Sequence, residues 1–419
     1  MAQTLAQKIL QRHSHDEIQG PGQIVRCRTS LVLANDITAP LSINSFRKMG
    51  ANRVFDREKV ALVCDHFTPN RDIDSAEQVK KVREFAREMD IVHYYEGGSS
   101  GVEHALLPEL GLVGPGDIVV GADSHTCTYG GLGAFATGMG STDIAAAMAL
   151  GETWFKVPES IRVNISGKLG RYLTSKDLVL QLIGLIGVDG ALYRALEFSG
   201  PTVNSMQIEA RMTMANMAIE AGGKVGLFPS DSLTTAYCRE HGFRNPQEIY
   251  PDEGAHYCRN VDMDVTDMSP RIACPHLPDN VKSIEEVSGI KLDQVVLGSC
   301  TNGRISDLRQ AAEIISGRKV HKDVRFIVLP ATPRIYEQAL EEGLISAFVK
   351  AGAIVGPPTC GPCLGGHMGI LASGEKCLAT TNRNFKGRMG SLESEVYLGS
   401  PYTAAAAAIA GEIIHPEKV

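Results

Sequence analysis

Three cysteines form the strongest chemical pattern in this chain: Cys300 in Gly298-Ser-Cys-Thr-Asn302, and Cys360 with Cys363 in Thr359-Cys-Gly-Pro-Cys-Leu-Gly365. No fourth cysteine stands in a comparable context. An iron–sulfur cubane built only for electron transfer takes four thiolates, so three would leave one iron open to water or substrate, where it acts as a Lewis acid. The chain has ten cysteines. Cys27, Cys64, Cys127, Cys238, Cys258, Cys274 and Cys377 mostly stand singly among apolar or small neighbours and read as structural residues.

Carboxylates beside imidazoles supply a second pattern. Val63-Cys-Asp-His66 joins Asp65 to His66, and Gly121-Ala-Asp-Ser-His-Thr126 joins Asp123 to His125 directly after an apolar run. A carboxylate fixes the tautomer of a neighbouring histidine and raises its pKa, which suits proton delivery to a leaving hydroxyl. Either pair alone reads as a turn cap; two pairs at two strand ends, together with three cysteines, point to chemistry. Near the C-terminus, Thr381-Asn-Arg-Asn-Phe-Lys-Gly-Arg388 sets three cations among turn formers, a pattern suited to a dicarboxylate. Asn216 and Glu220 lie four apart, on one face of a helix-period segment, yet by themselves they read as the solvated end of a helix. Gly131-Leu-Gly-Ala-Phe-Ala136 matches a dinucleotide fingerprint only weakly, because it does not follow a strand directly. It reads as close backbone packing.

These residues need a scaffold. Apolar, β-branched runs at 60–64, 117–121, 294–298 and 324–329 alternate with helix-period segments at 77–89, 141–154, 175–187, 206–221, 304–316 and 335–350. The alternation predicts an α/β fold with mostly parallel, helix-covered sheets. Breaks near Ser166-Gly167 and within 277–286 divide the chain into 1–166, 167–282 and 283–419. The chain has 43% hydrophobic and 21% charged residues and a net charge of −7, with no cluster of cations. That balance disfavours a nucleic-acid or membrane partner. No apolar run reaches the roughly 20 residues needed to span a bilayer, and a cytoplasmic location is expected. So many cysteines there speak for metal or catalysis over disulfides.

As a set, Asp65-His66, the Asp-Ser-His-Thr motif at 123–126, the Gly-Ser-Cys-Thr-Asn motif at 298–302, Cys360-Gly-Pro-Cys363 and the 382–388 motif resemble the aconitase superfamily. The resemblance runs from about Thr4 to the end. It implies three doubly wound α/β domains around a central iron–sulfur cleft, and a 4Fe–4S cluster held by Cys300, Cys360 and Cys363 with its fourth iron open. It assigns acid–base roles to Asp65, His66, His104, Asp123 and His125, with Ser124 nearby, and turns Asn216 and Glu220 toward the iron-bound oxygen. Asn382, Arg383 and Arg388 would border the cluster and hold a substrate carboxylate. Single-chain aconitases continue into a swivelling domain with a serine base, which this sequence lacks, so the resemblance implies a separate small subunit that carries both. Ala105 stands where aconitases proper have Gln, which argues against citrate-type recognition. The implied reaction is dehydration and rehydration of 2-isopropylmalate to 3-isopropylmalate, a step of leucine biosynthesis. Homoaconitate and 2,3-dimethylmalate are the competing substrates, and the loop 93–100 is expected to face the pocket. An NAD-dependent dehydrogenase and an RNA-binding apo-form are the distant alternatives.

Overall fold

A computed structural model describes residues 2–419. Three larger sheets organise the chain, with a short antiparallel pair, Ile24–Arg28 and Glu152–Lys156, at the side of the first. The first sheet is wholly parallel and has Leu31–Asn35 at its centre. Val60–Val63 and His93–Tyr95 lie on one side of it, and Ile118–Gly121 and Phe135–Gly138 on the other.

Alternation along these strands explains why both faces are covered. Val32, Ala34, Leu62 and Val120 pack with Ile43, Phe46, Val79 and Phe85, while Leu33, Ala61, Val63 and Val119 pack with Leu106, Leu107 and Tyr129. The strand order reverses between Leu31–Asn35 and Ile118–Gly121, and the crevice beyond the carboxyl ends at such a point is where open α/β sheets bind ligands.

The second sheet joins Ser160–Ser166, Ala195–Ser199, Val225–Leu227 and Arg259–Asp264 in parallel. Its strand Ser160–Ser166 precedes the break expected near Ser166-Gly167. The third sheet has seven strands, with Gln294–Leu297 flanked by Lys376–Ala379 and Arg325–Val328. Two of its strands, Arg271–Ala273 and Val281–Ser283, likewise lie before 283. One face of this sheet carries the helices Ile305–Ile315, Leu344–Ala351 and Pro401–Ala410; the other rests on the helices Ser175–Ile186 and Ile208–Asn216 from the second sheet's segment. Its own order also reverses, between Gln294–Leu297 and Lys376–Ala379.

Four expectations about elements shift. The segment 335–350 is two helices, Pro333–Glu341 and Leu344–Ala351, because Gly343 turns left-handed (φ 75°) between them. The helix from Ser141 stops at Leu150, where Gly151 takes φ 72°, and Glu152–Lys156 continues as a strand. The helix over 206–221 tightens to 3₁₀ geometry at Met217–Ala221. Finally, Cys258 is exposed, whereas the other six cysteines outside the two cysteine motifs are buried; all ten are free thiols. No helix among the described residues is long and apolar enough to cross a membrane.

The glycine stretch packs backbone on backbone. A Cβ on Gly130 would lie 1.8 Å from the Gly226 oxygen, and one on Gly131 would lie 2.6 Å from the Met212 nitrogen. Those glycines let the 3₁₀ turn Ser124–Leu132 press against the strand Val225–Leu227 and the helix Ile208–Asn216. The turn leads into the strand Phe135–Gly138, the reverse of a dinucleotide fold's strand-to-helix order.

Candidate active site

The carboxyl ends of the first and third sheets face one cavity of about 250 Å³. Asn35, Asp65, His66, Glu103, His104, Asp123 and His125 line one side, and Cys300, Cys360, Cys363, Asn382, Arg383 and Arg388 the other.

The acid–base side starts from Asp36, which is fully buried at the end of the central strand. Its carboxylate accepts the backbone N–H groups of Asp65 (3.2 Å), His66 (2.9 Å) and Phe67 (2.7 Å), fixing the turn after Val60–Val63. His66 Nδ1 lies 2.6 Å from Asp65 Oδ1, and His66 Nε2 lies 3.8 Å from Asp123 Oδ2. Burial pulls the His66 pKa down, but Asp65, Asp36 and Asp123 overcome it and leave the value well above the ordinary one. Asp123 is shared: its Oδ1 lies 3.0 Å from His104 Nε2 and 3.4 Å from His125 Nδ1. Burial opposes its charge, yet the hydrogen bonds from His104 and His125 hold the carboxyl well below its usual range. His104 Nδ1 meets the Tyr129 hydroxyl at 3.1 Å. Glu103 takes the Asn35 amide on Oε1 at 2.9 Å, while its buried Oε2 has no partner among the described residues. Burial, Asp65 and Asp123 all push the Glu103 pKa far up.

His125 connects the two sides. Its Nε2 lies 2.9 Å from Glu220 Oε1, which also accepts from Arg383 Nε at 2.8 Å. Burial lowers the His125 pKa, but Cys300, Asp123 and Glu220 outweigh it and bring the value to about 9. Glu220 is 4% exposed, so its residue-level reading as a solvated helix end is corrected: the tightened turn Met217–Ala221 aims it inward.

On the sulfur side, Cys300 follows Gly298 and Ser299, whose φ angles of 149° and 98° turn the chain sharply off the central strand. A Cβ on Gly298 would meet Leu329 Cβ at 2.7 Å, so only glycine fits there. Asn216 Nδ2 and Asn382 Nδ2 each donate to Cys300 Sγ at 3.2 Å. Asn216 Oδ1 accepts from the Thr301 hydroxyl at 2.8 Å, which fixes its amide orientation. Arg388 lies 3.9 Å from Cys363 Sγ. The neighbouring sulfurs of Cys300 and Cys363 push Cys360 well up, while Cys300 is held well below the usual thiol value and Cys363 drops to about 6. Three buried sulfurs, two of them thiolate-prone, with two amide donors on Cys300 and a guanidinium beside Cys363, fit an iron–sulfur group.

Eleven of the fourteen residues picked from sequence line the cavity. Asn216 and Glu220 stand behind the wall and act through Cys300, His125 and Arg383. Ser124 begins the 3₁₀ turn, half-buried, and is absent from the cavity wall. The loop expected to face the pocket lines a different cavity instead: Glu96, Gly97, Gly98 and Ser100 meet Thr68, Pro69 and Tyr336 there. Asn35, Asp36, Glu103 and Tyr129 were missed. Asn35-Asp36 directly after the apolar run 31–34 was the available signal for the first two, and adjacency to His104 for the third.

The aconitase family model (aconitate hydratase) matches residues 7–411. This chain belongs to the aconitase family. It is 70% identical over 416 residues to the 3-isopropylmalate dehydratase large subunit of Oleidesulfovibrio alaskensis, covering 99% of each chain. It is 66% identical to the protein of that name from Desulfovibrio desulfuricans and 58% identical to the one from Acetivibrio thermocellus, with full coverage of both chains in each case. Among solved structures, holo aconitase X of Thermococcus kodakaraensis aligns over 87% of this chain and 88% of its own, with a TM-score of 0.50 and 14% identity, a likeness of fold.

Proposed function

We propose that the chain is the cluster-bearing large subunit of a 3-isopropylmalate dehydratase, which isomerises 2-isopropylmalate by removing and re-adding water. The observation that carries the reading is the single cavity in which three buried cysteines face three carboxylate-paired histidines. The 70% identical relative named for this activity supports the choice of substrate. The three sheets correspond to three domains; the cavity lies between the first and the third, with Asn216 and Glu220 of the second behind its wall.

Cys300, Cys360 and Cys363 hold the 4Fe–4S cluster. When bound, it supplies a Lewis acid for the substrate hydroxyl. Arg383 is oriented by Glu220 through Nε, which leaves its terminal N–H groups to grip a substrate carboxylate, and Arg388 offers a second cation. His66, whose pKa is raised by Asp65, presents Nε2 to the departing hydroxyl, while Asp65 steadies Nδ1. Asp123 orients His104 and His125. Asn216 and Asn382 restrain Cys300. A small subunit carrying the swivelling domain and its serine would take the carbon-bound proton.

The test is anaerobic reconstitution with iron, sulfide and the small subunit. Conversion of 2-isopropylmalate to 3-isopropylmalate is expected. An enzyme that left this substrate untouched and hydrated another diacid would overturn the substrate assignment.

A further inference from the structure

Lys176 lies in the first turn of the helix Ser175–Ile186, and none of its surface reaches solvent. A buried ammonium is costly unless its donors and its charge are both met. The adjacent Asp177 does not meet them: its Oδ2 accepts from the Thr174 backbone and its Oδ1 from the Arg271 backbone. No carboxylate among the described residues lies within 4.0 Å of Lys176. Its Nζ donates instead to the carbonyl oxygens of Thr380, at 2.9 Å, and Thr381.

Those two residues lead directly into the cysteine site. The Thr380 hydroxyl accepts from the Gly298 N–H at 3.0 Å, tying its turn to the one that presents Cys300. Asn382 then reaches Cys300 Sγ at 3.2 Å, and Arg383 reaches Glu220. Burial draws the Lys176 pKa down to about 7, and the groups that most oppose this are Cys363 and Cys300, ahead of Asp307 and Asp177. The groups that meet this lysine's donors thus belong to the turn that carries Asn382 to Cys300 Sγ.

We propose that Lys176 is a positioning residue of the cysteine site: its buried ammonium pins the Thr380–Thr381 turn across from another sheet's helix and serves as the counter-charge to the cysteine-bound cluster. The proposal rests on the cluster reading above. An ammonium at this position stabilises the more negative, reduced cluster, because net charge and hydrogen bonding around the sulfurs set its potential.

The test compares reconstituted wild-type protein with Lys176→Met by redox titration followed by electron paramagnetic resonance, with dithionite as electron donor. The methionine variant is expected to accept an electron about tenfold less readily, a potential about 59 mV lower for a one-electron couple. A loaded variant with the wild-type potential would overturn the role of Lys176, whereas a wild-type protein that assembles no cluster would overturn the cluster reading instead. Wild-type protein labelled with ¹⁵N-lysine gives an arm that needs no variant. One lysine nitrogen should couple magnetically to the reduced cluster in pulsed spectra, and absence of that coupling also overturns the proposal.

Discussion

Replacing Asp36 with alanine should disable the site without touching a cysteine or a histidine. Asp36 is the sole side-chain acceptor for three consecutive backbone N–H groups, those of Asp65, His66 and Phe67, at 2.7–3.2 Å. An orphaned buried donor costs about 1–3 kcal/mol. Water entering the vacated space satisfies part of that loss, so a stability decrease of about 3–5 kcal/mol is expected. The kinetic effect follows from position, because His66 stands on this turn and a general acid contributes about 10²–10⁴ in rate. The kcat of Asp36→Ala should fall at least a hundredfold at matched iron content. Asp36→Asn keeps one acceptor oxygen and should fall between the two. Urea denaturation and steady-state isomerisation with excess small subunit read the two effects separately. A folded Asp36→Ala enzyme with kcat within threefold of wild type would show that the turn is held by something else.

Other outcomes follow from the same geometry. Asp65→Asn removes the main charge that raises His66, so the protonated fraction of this acid shrinks at alkaline pH and the alkaline limb of kcat should move to lower pH. Glu220→Gln breaks a buried ion pair with Arg383, worth about 3–5 kcal/mol, and should raise KM for the diacid more than it lowers kcat. Cys360→Ser should abolish bound iron and visible absorbance while leaving the circular dichroism spectrum unchanged. Burial lifts the Asp117 pKa to about 6 from an ordinary 3.8, so the folded state takes up its proton first and wild type gains stability relative to Asp117→Asn as pH falls from 7 to 4. The gain approaches about 3 kcal/mol, at 1.36 kcal/mol per pH unit, and urea midpoints at the two pH values measure it.

Local chemistry was legible where a residue type and its neighbours were both unusual. Cys300, Cys360, Cys363 and the two Asp–His motifs announced themselves because strand ends seldom concentrate such groups. Asp36 did not, since Asn-Asp after an apolar run is also what a plain turn looks like, and its role as acceptor for 65–67 exists only once two strands are paired. Glu220 required the family resemblance: its partners lie 95 and 163 residues away, beyond any spacing rule. Strand positions at 60–63 and 118–121 were readable because they are buried on both faces and apolar throughout, and those at 294–297 and 325–328 because three buried apolar residues follow Gln294 and Arg325. The splitting of 335–350 was not, because Gly343 interrupts a pattern that stays helical on either side.

The cavity wall is contributed in a particular chronological order. The proton-handling groups are all translated by residue 125, but Cys360, Cys363, Asn382 and Arg383 come from the last sixth of the chain. A chain still emerging during synthesis thus presents Cys300 without its companions, and two folded sheets without the wall that closes them. Iron delivered at that stage finds a lone thiolate and gains no chelation. A group that needs all three cysteines therefore cannot be assembled until the chain has been made past Cys363.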